Sequence, residues 1–168
     1  MRTAYERVRN ALRNHATARR FKGSLRPHDE ALELGVIDPH IRELVAAFNV
    51  DGIVSSISSC EGHRRWGLSA PQTAFIMFSA EPALAARIAT RILVDQRGAS
   101  ELHHYWKVDA TFNADGELVF CLSCPEPRFR RSMVDADFKR LKVWVEEILR
   151  SWQESLIREP EVSDCDHD

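Results

Sequence analysis

The 168-residue chain is predicted to be an α+β single domain, with about four antiparallel strands, helices packed on them and a long carboxy-terminal amphipathic helix. Three observations lead there. Strand-like runs come in pairs joined by a loop or a hairpin signal, which suits an antiparallel sheet with helices on one side; a split βαβ arrangement is a variant of the same class. The final apolar pattern keeps helical spacing over about 22 residues, on the order of 33 Å, enough to cross a whole sheet face. A chain of this length that is 44% hydrophobic can fill one core but not two.

In chain order, residues 1–37 read as a basic amino-terminal helix with a connecting segment. Tyr5, Val8 and Leu12 give the helix one apolar face, and Gly23, Pro27 and Gly35 break the segment that follows. The core domain is predicted over residues 38–158. Asp38-Pro39 has the form of a helix start, an N-cap followed by proline, and Ile41, Leu44, Val45 and Phe48 then share one face. Asp51-Gly52 turns the chain into an alternating run, with Ile53, Ser55, Ile57 and Ser59 against Val54, Ser56 and Ser58, that reads as a strand with a polar face. Thr73 to Phe78 is a short continuous apolar run, the pattern of a central strand.

Glu81-Pro82 opens the next helix, with Leu84, Ile88 and Ile92 inward and Arg87 and Arg91 outward. Tyr105 to Phe112 alternates, Asn113 to Gly116 is a hairpin turn, and Leu118 to Cys124 returns until Pro125 and Pro127 stop it. Val134, Phe138, Leu141, Trp144, Val145, Ile148, Leu149, Trp152 and Leu156 mark the long helix. Residues 159–168 carry five acids and no Lys or Arg, and read as a disordered acidic tail.

Composition narrows the function classes. A net charge of −2 and a pI near 6.4 exclude a uniformly basic surface, yet residues 1–26 hold eight Lys or Arg against one acid. No apolar run approaches the ~20 residues of a membrane span, and the Arg-rich start lacks the apolar core of a secretory signal, so a cytoplasmic location without membrane association is expected. Four cysteines are too few and too unevenly placed for a disulfide framework.

The densest set of chemically capable groups lies around Ser58 to Trp66. Serines are followed within a few residues by Cys60, Glu61, Gly62 and His63, then Arg64, Arg65 and Trp66. Read as a loop at a strand end, it would present side chains and backbone N–H groups to a ligand, with Gly62 free to turn sharply. Cys60, Glu61 and His63 are the candidate catalytic groups, and His104 is a candidate base for Cys60 if the start of the third strand comes close. Glu61 or His63 would serve equally in acid–base work, imidazole being the side chain that exchanges protons near neutral pH. Ser58, Ser59, Gly62, Arg64, Arg65 and Trp66 are the candidate ligand-binding residues. Cys60, His63, Cys121 and Cys124 also make up the Cys₃His set of a zinc site, on condition that the second pair's strand ends at Leu122, because residues i and i+3 of a strand face opposite ways. The competing reading makes the cysteines buried thiols and the histidines half-exposed strand-end residues.

Ser58-Ser59-Cys60-Glu61-Gly62-His63 resembles the Ser-Ser-Cys-x-Gly-Arg signature of the wybutosine-synthesising tRNA methyltransferase family, with His63 standing in place of the arginine. It is also similar to Ser-Cys-x-Gly-His segments in small uncharacterised phage and plasmid proteins. The first resemblance implies a connection to S-adenosylmethionine or RNA.

A further basic group, Arg128, Arg130, Arg131, Lys139, Arg140 and Lys142, adds material for phosphate contact. The expectation is a nucleic-acid-associated or nucleotide-binding protein with its site at residues 58–65, extending to an RNA-modifying enzyme, with RNA or DNA as partner. The alternatives are a non-catalytic protein-interaction protein of a phage, plasmid or other mobile element, and a zinc-stabilised structural protein.

Overall fold

The computed structural model describes residues 35, 37–63, 72–98, 100–113, 115–126 and 130–158. The predicted basic helix, nearly all of its connecting segment and the acidic tail lie outside them, as do Arg64, Arg65, Trp66 and Arg128. Within them the order is α1 (Arg42–Ala47), β1 (Val54–His63), β2 (Gln72–Ala80), α2 (Pro82–Arg97), β3 (Lys107–Phe112), β4 (Leu118–Cys124) and α3 (Arg131–Arg158). The four strands form one antiparallel sheet in the order β1-β2-β4-β3, which puts β1 and β3 at opposite edges. The α+β class, the antiparallel sheet and the long last helix are as the sequence predicts.

One face of the sheet carries the core. Ala74, Ile76 and Phe78 of β2 and Phe120, Leu122 and Cys124 of β4 pack in a single cluster with Ile41, Leu44, Val45 and Phe48 around α1, Leu84, Ile88 and Ile92 of α2, and the stripe of α3. Phe75 and Met77, on the other face of β2, are only half-buried. The α3 stripe is buried from Val134 to Trp152 except for the partly buried Ile148, while Leu156 is exposed. Arg87 and Arg91 of α2 do not simply point outward. Their guanidinium carbons lie 4.8 Å and 3.7 Å from the ring centroids of Trp152 and Trp144, so cation–π contact and their methylene stems bind α2 to α3.

Two features of β1 depart from the sequence reading. The alternation is broken by a bulge between Ser56 and Ser58. Ser55 pairs with Ser79 and Ser59 with Ile76, residues on opposite faces of β2, so Ile53, Ser55, Ile57 and Ser59 do not form one polar face. The strand also runs further than predicted, through Cys60, Glu61 and Gly62 to His63. Gly62 has a φ of 82° and distorts the strand without ending it.

β1 is an edge strand, and side chains occupy several of its outer backbone groups. Asn49 accepts the Ser56 N–H at 3.1 Å; further along, Asp38 accepts the Glu61 N–H and Arg131 donates to the Glu61 carbonyl at 3.0 Å. The N–H and C=O of one strand residue point the same way, so Glu61 presents both to the open edge and both are satisfied there.

Candidate functional site

The outer end of β1 is where ionisable groups gather. Asp38 and His40 come from the segment before α1, Cys60, Glu61 and His63 from β1, and Arg131 and Asp135 from the first turns of α3. Asp38 does not cap α1, whose N-cap is Ile41 with no side-chain capping bond. Its Oδ2 accepts the Glu61 N–H at 3.1 Å and lies 3.1 Å from His63 Nε2. The Glu61 carboxylate accepts the His40 N–H at 3.0 Å and faces Arg131 at 3.5 Å. Arg131 also donates to the Gly62 carbonyl, and His40 Nδ1 lies 3.2 Å from Asp135 Oδ2. Arg131 therefore ties the start of α3 to the edge of β1.

Beneath this network sits Cys60, only 2% exposed, its Sγ accepting the Gly62 N–H at 3.4 Å. One ligand-type atom each from Asp38, Cys60 and His63 lie within 4.8 Å of one another. That convergence has a local cause. Positions 60 and 63 of a regular strand would face opposite ways, and the positive φ of Gly62 breaks the alternation between them. The Cys-x-Gly-His spacing works here through its glycine.

The other predicted site residues are placed elsewhere. His104 lies just before β3, on the far side of the sheet from Cys60: the row Cys60, Phe75, Ser123, Lys107 spans three inter-strand steps of about 4.8 Å each. It cannot act as a base for Cys60. His104 is buried, with Nδ1 2.8 Å from Asp137 Oδ2. Asp137, fully buried, also accepts the His103 N–H at 2.7 Å, the His104 N–H at 3.2 Å and the Trp106 indole N–H at 3.1 Å. This carboxylate fastens the approach to β3 onto α3.

The four-ligand zinc set is not assembled. β4 continues to Cys124, so Cys121 and Cys124 face opposite sides of the sheet, with β2 standing between them and Cys60. Burial pushes the Cys121 thiol up and raises Cys124 to about 11, which disfavours the thiolate a metal requires. Ser58 and Ser59 sit in mid-strand on opposite faces, paired with Met77 and Ile76. The predicted basic surface on α3 is largely engaged: Arg131 with β1, Arg140 with Glu101 at 3.0 Å and Lys142 with Glu43 at 3.2 Å.

The residues that sequence reasoning missed are Asp38, His40, Arg131 as a strand clamp, and Asp135. Only Asp38 carried a local signal, and Asp-Pro pointed to the wrong role. No protein-family model, curated protein or solved structure matches the chain.

Proposed function

We propose that the protein binds a phosphate-bearing ligand, nucleic acid or nucleotide, at the outer end of β1. The observation that carries this reading is the gathering of Cys60, Glu61 and His63 with Asp38, His40, Arg131 and Asp135, two imidazoles, a guanidinium, three carboxylates and a thiol contributed by three separate parts of the chain. Apart from the buried Cys60 and Glu61 these side chains are part-exposed, so the cluster is within reach of a ligand from solvent. Phosphate is favoured as the ligand chemistry by sequence: Arg64 and Arg65 directly follow His63, and the first 26 residues are strongly basic. Arg87, Arg91 and Arg140 contribute little to this, the first two being stacked on tryptophans and the third paired with Glu101.

The test is retention of RNA and DNA across a salt series. Phosphate contacts release counterions, so affinity is expected to fall steeply with salt and to weaken in Arg64→Ala and Arg65→Ala without loss of folding. No retention of either nucleic acid or of a nucleotide at low salt contradicts the reading. A second reading, a non-catalytic protein-interaction protein, is favoured by β3, which has no strand on its outer side among the described residues and whose Phe112 is 70% exposed.

A further inference from the structure

We infer that Asp38, Cys60 and His63 form a binding site for a divalent transition metal of the zinc type, with a fourth coordination position left to water or to a bound ligand. The donor set is the first reason. A thiolate, an imidazole and a carboxylate together suit zinc, whereas calcium and magnesium take oxygen ligands.

The spacing is the second. Two ligands about 2.0–2.2 Å from a tetrahedral ion sit about 3.3–3.6 Å apart. Asp38 Oδ2 and His63 Nε2 are already 3.1 Å apart, and the Cys60 sulfur completes a trio within 4.8 Å. An ion between them would need small side-chain adjustments and no movement of strands.

The surroundings are the third. The Glu61 N–H fixes the Asp38 carboxylate from outside the trio, and the Gly62 N–H points at the Cys60 sulfur. Glu61 itself is held away by the His40 N–H and Arg131. Cys60 forms a buried floor, while the side chains of Asp38 and His63 are 29% and 33% exposed, so the site opens to solvent on one side. Three protein ligands with an open side is the pattern of catalytic rather than structural zinc sites. Among the described residues, this is where three such groups converge.

Metal binding does not depend on the phosphate reading, and it is measured without nucleic acid, so either can fail alone. The experiment titrates the full chain, purified without chelator, with Zn²⁺ against a chromophoric chelator and with Co²⁺ followed by absorbance. The expected result is roughly one equivalent of metal and a thiolate-to-cobalt charge-transfer band that Cys60→Ser abolishes. Asp38→Asn and His63→Asn should each weaken binding by at least the about 10–100-fold that outer-shell changes cost, and the double variant Cys121→Ser/Cys124→Ser should bind as the parent does. Asp38 and His63 are part-exposed, so those two variants decide the matter if Cys60→Ser fails to fold. Binding below about a tenth of an equivalent, or parental affinity in both Asp38→Asn and His63→Asn, overturns the site.

Discussion

Asp137→Ala is expected to lower the free energy of unfolding by about 3–5 kcal/mol, the range for removing one partner from a buried charged network. Asp137 is 0% exposed and accepts four hydrogen bonds, from the backbone N–H of His103 and His104, the His104 ring and the Trp106 indole. Truncation leaves those donors facing apolar side chains. An unsatisfied buried donor costs about 1–3 kcal/mol, and some of the four would regain water as the segment loosens, so the total should fall below their sum. Urea unfolding followed by tryptophan fluorescence reads the effect, since Trp106 is 1% exposed and bonded to the carboxylate. Asp137→Asn, which keeps an acceptor oxygen, should lose less. Asp109→Ala, at an exposed strand position, should stay within about 0.5 kcal/mol of the parent.

Phe78→Ala is expected to cost a similar about 3–5 kcal/mol, by a different route. Phe78 is fully buried, with its ring centroid 4.7 Å from that of Phe48 and 5.7 Å from that of Phe120. It therefore joins α1 to the two central strands, and its loss opens a cavity whose walls belong to three elements and cannot all collapse. Phe78→Leu, which keeps most of the volume, should cost less than about 1.5 kcal/mol. Phe112→Ala, at the open end of β3, provides the exposed comparison and should be nearly silent in the same urea series.

The helices were legible because their signals are local and periodic. Val134 to Trp152 repeats at helical spacing over five turns, and no alternative places those residues on one side. The antiparallel sheet was legible from its turns, Asp51-Gly52 and Asn113 to Gly116, whose glycines take φ of 70° and 83°. The site was only half legible. Cys60, Glu61, Gly62 and His63 stood out by composition, but Gly62 read as the end of a strand, whereas it bends the strand within its length. The bulge at Ile57 inserts a residue that leaves no mark in the pattern except a misplaced face.

Asp38 shows the limit most plainly. Next to Pro39 it has every local attribute of an N-cap, and its actual partners are 23 and 25 residues away. Arg131 and Asp137 are the same case at larger separation, 70 and 33 residues from Glu61 and His104. Polar contacts between elements are set by how the elements dock, which periodicity does not encode.

The central claim, that the outer end of β1 is a ligand site and not architecture, is tested most directly by measuring thermal unfolding and nucleic-acid retention together for His63→Ala. The His63 side chain is a third exposed and packs into no part of the core cluster. The account predicts a melting temperature close to the parent's, corresponding to a change of about 0.5 kcal/mol or less, with retention at low salt lost. A large fall in melting temperature, with retention undiminished in the folded fraction, would contradict it and make this end of β1 a structural clamp.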